Sequence, residues 1–155
     1  MKKRVDLPEK KYEGYIFDLD GTLVDSMPLH YRAWREALAR AGAPDHVFRA
    51  DEFYSCGGKS ANDVVRFLNE RYGMHMDAAS TAADKRRIYL EMLEKEGMQP
   101  IREVVEFVHS LGDAPKAIAT GSAMPGASRT LAAAGLSGLF DVILTPDEVE
   151  HGKPA

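Results

Sequence analysis

The chain has a single cysteine, Cys56, among 155 residues, which excludes an internal disulfide and fits a reducing compartment. It has no apolar run long enough to span a bilayer, and its opening MKKRVDLPEKKYEGY lacks the apolar core of a signal peptide. It has no excess of positive charge. Twenty Lys and Arg against 24 Asp and Glu give a net charge of −4, so nothing general draws it to nucleic acid or to a membrane surface. Repeats and low-complexity segments are also missing. What remains is an ordinary globular composition, 45% hydrophobic and 28% charged, at a length suited to one compact domain or a modest core with an insertion. The expectation is a cytoplasmic protein whose partner is a small molecule.

The apolar pattern changes period along the chain. Tyr15–Leu19, bounded by Gly14 and Gly21, has the look of a strand buried on both faces. From Pro28 to Gly97 the pattern is helical only. Pro28 opens a first helix with an apolar stripe at Trp34, Ala37, Leu38 and Ala41, stopped by Gly42. Ser60 and Asp63 resemble a capping box for a second, which carries Val64, Val65, Leu68 and Tyr72 to Gly73. Thr81 and Asp84 open a third, ended by Gly97. After that, Ile101–Leu111 is an amphipathic helix, Lys116–Ala119 a strand, Pro125–Ala134 a helix and Asp141–Leu144 a strand. Strand, helical insertion, helix, strand, helix, strand is the order of an α/β protein with a parallel, Rossmann-like sheet, here three strands. The expected division is a core of residues 1–26 and 98–155 with an all-α cap of residues 27–97 inserted after the first strand.

Ligands of open parallel sheets bind at the carboxyl ends of the strands. The first strand ends in Asp18 and Asp20, the second in Thr120-Gly121-Ser122, and the loop after the third carries Lys153. Two carboxylates, hydroxyls and one ammonium suit phosphoryl transfer through a carboxylate nucleophile. One carboxylate attacks phosphorus beside a magnesium ion, and a second carboxyl moves the proton. Hydroxyls, amides and the ammonium hold the phosphoryl oxygens.

FDLDGTLVDS resembles the first motif of the haloacid dehalogenase superfamily of phosphotransferases, IATGS its second and HGKPA the start of its third, in the family's order. An all-helical C1 cap directly after the first motif is similar to the subgroup of β-phosphoglucomutases and fructose-1-phosphate phosphatase-like enzymes. The resemblance implies Asp18 as nucleophile and Asp20 as general acid/base. It implies Thr120 on the phosphoryl group, and Lys153 neutralising it and orienting Asp18. Asp18 and Asp20 would hold Mg2+. Ser26 and His30 sit where the family places its hinge, and His30, Lys59, Gly121 and Ser122 are the candidate substrate contacts. The implied substrate is a small phosphorylated metabolite, a sugar phosphate.

FYSCGGKS imitates a P-loop, but Phe53 stands where that pattern needs glycine and no apolar strand precedes it, so it is not a nucleotide site. In the cap it looks instead like the turn that brings a recognition residue over the active site. β-Phosphoglucomutases carry an arginine in this turn and a lysine at the place of Ala123. This chain has Lys59, with Arg66 further on, so a phosphatase is expected ahead of a mutase. The family's fourth motif, with further acidic metal ligands, is not in this sequence. A weakly active or inactive fragment, with an open apolar edge on its first strand, is therefore the remaining alternative.

Overall fold

The computed structural model describes residues 6–153. The basic MKKR start and Pro154–Ala155, the end of the third motif, lie outside the described residues. Strands β1 (Tyr15–Phe17), β2 (Lys116–Ala119) and β3 (Val142–Leu144) form a parallel sheet in the order β1-β2-β3, with Tyr15 beside Lys116 and Ala119 beside Leu144. The architecture is the expected α/β, Rossmann-like one.

The first strand departs from expectation in two ways. It ends at Phe17, because the Leu19 carbonyl accepts the N–H groups of Thr22, Leu23 and Val24 and winds the chain out of the ladder. Nor is it buried on both faces. Tyr15 and Phe17 pack with Phe107, whereas Ile16 on the other face is 77% exposed. Leu19, expected in the strand, is fully buried in the coil that follows it. The coil leaves Asp18 and Asp20 at the strand end, and Gly21 turns there with φ +76°.

Helix α1 (Met27–Arg40) has Pro28 in its first turn and buries Leu29, His30, Ala33, Trp34, Ala37 and Leu38. Ala41, expected in that stripe, is the exposed C-cap, because the helix stops at Arg40 and Gly42 turns at φ +80°. A short helix α2 (Ala50–Ser55), unforeseen in the sequence, buries Phe53. Helix α3 (Ala61–Tyr72) is capped as expected, the Ser60 hydroxyl accepting from the Asp63 N–H, and ends at left-handed Gly73. Helix α4 (Ala78–Glu96) begins earlier than its Thr81–Asp84 pair suggests. The Asp77 carboxylate takes the Ser80 N–H at 2.7 Å and starts the helix there, and Thr81 is buried inside it. Helices α5 (Arg102–Ser110) and α6 (Gly126–Ala133) link the strands. A 3-10 turn at Pro146–Glu148, capped by Thr145, follows β3.

Two apolar clusters hold these elements. One gathers Leu19, Leu23, Val108, Ile118 and Leu131 around the sheet and reaches Ala33 and Ala37 of α1 and Ile88, Tyr89 and Leu93 of α4. The other gathers Trp34, Leu38, Phe48, Phe53, Val65 and Leu68. Helix α1 therefore buries one side in each cluster and ties the helical insertion to the sheet.

Candidate active site

Three strand ends meet as expected. The Lys153 ammonium donates to Asp18 Oδ1 at 2.8 Å and to the Ala119 carbonyl at 2.9 Å, which moors it between β1 and β2. Thr120 is buried and anchored by its N–H to the Leu144 carbonyl. Its hydroxyl accepts the Ser122 N–H at 3.0 Å and keeps its own proton to donate. Asp18 stays about one-third exposed, open to the cleft, while its neighbours are fixed.

Asp20 is held far more tightly. Ser26 Oγ donates to its Oδ1 at 2.6 Å, His30 Nε2 meets the same oxygen at 2.9 Å, and Ser122 Oγ donates to Oδ2 at 2.6 Å. Burial alone would raise its pKa. The electrostatic pull of His30 beside it and the hydrogen bonds from His30, Ser122 and Ser26 outweigh that and hold the carboxyl well below the usual carboxylate range. Behind His30 stands Lys85, whose Nζ lies 2.7 Å from His30 Nδ1. Burial lowers the His30 pKa and the Lys85 charge lowers it further, against the pull of Asp20. A neutral imidazole that accepts from Lys85 at Nδ1 carries its proton on Nε2, so His30 donates to Asp20. Burial also pushes Lys85 down to about 8, with Asp20 opposing. The imidazole stacks on Tyr89 with centroids 4.0 Å apart, and Tyr89 Oη bonds Thr130 Oγ1 at 2.8 Å. Three donors on one carboxylate give a resting base; to act as an acid, Asp20 must give up one of them.

A cleft of about 1180 Å³ opens over Asp18, Asp20 and Lys153. Its roof is the turn Gly57–Lys59, which meets the Thr120–Ser122 loop backbone to backbone. A Cβ on Gly121 would overlap the Gly58 carbonyl and stand 3.1 Å from that of Lys59. Gly121 is glycine because the turn closes on it.

Of the candidates, Asp18, Asp20, Thr120, Gly121, Ser122 and Lys153 come together at the strand ends. His30 lines the cleft, but its ring nitrogens are occupied by Asp20 and Lys85. Lys59 is exposed, with Nζ 4.8 Å from the centre of the Phe67 ring, so its backbone rather than its ammonium covers the site. Sequence reasoning missed Lys85. Its signal was a lysine within the apolar stripe of α4, one turn from Tyr89.

No group of three His, Cys, Asp or Glu side chains gathers as a metal site among the described residues. Asp18 Oδ2 has no hydrogen-bond partner among the described residues, its ion pair with Lys153 running through Oδ1. The Asp20 carbonyl likewise has no backbone partner among them, since Gly21 N–H bonds Val24 and Val24 N–H bonds Leu19. Two such oxygens, on residues two apart at the end of β1, fit magnesium, which keeps several waters and takes few protein ligands.

Residues 15–155 match the sequence profile of the haloacid dehalogenase-like hydrolases, and the chain belongs to that family. It is 32% identical over 147 residues to fructose-1-phosphate phosphatase YqaB of Escherichia coli, covering 94% of this chain and 76% of that one. It is 33% identical to hexitol phosphatase A of the same organism, covering 92% of this chain and 63% of that one. A crystal structure of a hydrolase from Pseudomonas syringae superposes with a TM-score of 0.79 at 29% identity, over 91% of this chain and 64% of that one.

Proposed function

We propose that the protein is a magnesium-dependent phosphatase of small phosphorylated carbohydrates. The observation that carries this reading is Asp18, held by Lys153 and open to a cleft that Ser122 also borders, with buried Thr120 bonded to Ser122 just behind it. Asp18 attacks the phosphorus and becomes an aspartyl phosphate. Lys153 and the Thr120 hydroxyl hold the phosphoryl oxygens where charge gathers. Asp20 protonates the leaving oxygen and then, ionised again under its donors, takes the proton of the attacking water. Magnesium, held by the Asp18 carboxylate and the Asp20 carbonyl, would offset the charge between nucleophile and phosphate.

The carbohydrate class rests on the relatives, two of which are phosphatases of fructose 1-phosphate and of hexitol phosphates by name. Residues 27–97 form the cap, and the contact of Gly58 with Gly121 is its closed position. A reducing, cytoplasmic setting agrees with the single buried Cys56.

Phosphate release across a panel of sugar phosphates, with and without magnesium, tests the reading. Release that needs magnesium and favours sugar phosphates over nucleotides supports it; no release from any of them contradicts it.

A further inference from the structure

We propose that Arg86 and Arg129 form a second anion subsite in the cleft, so that the preferred substrate carries another anionic group besides the phosphate that reacts. The proposal rests on the phosphatase reading and narrows its substrate class.

Most arginines among the described residues are held by a carboxylate. Arg32 bonds Glu96, Arg40 bonds Glu36, Arg66 bonds Asp63, Arg71 bonds Glu52, Arg87 bonds Asp84 and Glu91, and Arg102 bonds Glu106. Arg86 and Arg129 have no hydrogen bond or ion pair among the described residues, and both line the cleft. Arg86 comes from α4 and is half-buried; Arg129 comes from α6 and is exposed.

They stand on either side of a fixed joint. Tyr89, one turn after Arg86, bonds Thr130, the residue after Arg129, at 2.8 Å. Both guanidinium groups face the same cleft with their N–H donors unspent, and an oxyanion entering it can take paired donors from them. Asp63, Glu91, Glu94, Asp147 and Glu150 line the cleft too; Asp63 and Glu91 are paired with Arg66 and Arg87, and none of the five bonds Arg86 or Arg129 among the described residues. The reacting phosphate has its own cation in Lys153, so this pair is free to read the far end of the molecule.

Calorimetric titration of the full chain in an Asp18→Asn background, with magnesium, tests the subsite without consuming ligand. Glucose 6-phosphate, glucose 1,6-bisphosphate and 6-phosphogluconate share the 6-phosphate and carry at C1 a hydroxyl, a phosphate or, on an open chain, a carboxylate. At least one of the two doubly anionic ligands should bind about tenfold tighter than glucose 6-phosphate, and which one tells phosphate from carboxylate. Arg86→Gln and Arg129→Gln should each remove most of that preference while leaving glucose 6-phosphate affinity within about twofold. Arg49→Gln, outside the cleft lining, should change nothing. Equal affinity for all three ligands, or a preference that survives the double variant, overturns the subsite. If inorganic phosphate and glucose 6-phosphate also fail to bind, the phosphatase reading falls with it.

Discussion

Lys85 is buried beside His30, so its ammonium exists at neutral pH against the cost of leaving water. Its pKa falls from 10.5 to about 8 on folding. Between those values the unfolded chain binds more protons than the folded one, so stability rises with pH there; below about pH 8 the full burial cost is present. Lys85→Met is therefore expected to melt higher than the parent at pH 7, by roughly 2–3 kcal/mol in stability, with the gap closing as pH climbs. Turnover should fall about tenfold to a hundredfold in the same variant, because His30 loses the partner that sets its proton on Nε2. Thermal melts at pH 7 and pH 10 check the first half, and equal shifts at both would contradict it. Asp20 has the opposite sign. Its depressed pKa contributes stability above the ordinary carboxylate range that is lost as pH falls through it. Ser122→Ala should consequently narrow the difference in urea midpoint between pH 7 and pH 2.

The two glycines where the cleft roof meets the strand-end loop do different work. Gly58 has φ +85°, so Gly58→Ala should cost about 1–2 kcal/mol in folding stability. Gly121 is glycine for room, not for its backbone angle. Gly121→Ala should leave the melting temperature nearly unchanged but reduce kcat/KM by about a hundredfold by propping the turn off the loop. Comparing melts with steady-state kinetics separates them; a Gly121→Ala enzyme of normal activity would refute the closure account. Legibility followed the same physics. The Ser60–Asp63 cap, the Gly73 stop and strand Lys116–Ala119 were readable because each is decided by local hydrogen bonding or by a short apolar run between polar ends. The start of α4 was misplaced because Asp77 caps it before the apolar stripe begins. Helix α2 was missed because Ala50–Ser55 is too short to show a period. At the site, the strand-end residues were legible from their places after short apolar runs together with the resemblance to the family's motifs. The Lys85–His30–Asp20 chain was not, because its members are 55 and 10 residues apart and only packing joins them.

Across the whole molecule, the sheet leaves one face open. Ile16 and Val142, both joined in register to Ala117, are 77% and 56% exposed, and Leu144 is 41% exposed. An apolar strand at a sheet edge invites pairing with another chain. Ile16→Lys should lower aggregation, read by light scattering, without altering phosphate binding; unchanged scattering would mean this face is not the cause. What the whole fold assembles, on the reading proposed above, is a carboxylate that is phosphorylated in each turnover. Intact-mass analysis of the chain, acid-quenched during turnover of a sugar phosphate with magnesium, tests it most directly. One added phosphoryl group, mapped to Asp18 and absent from Asp18→Asn, is the predicted result. Phosphate release that persists in Asp18→Asn, with no phosphorylated chain at any time, would contradict it.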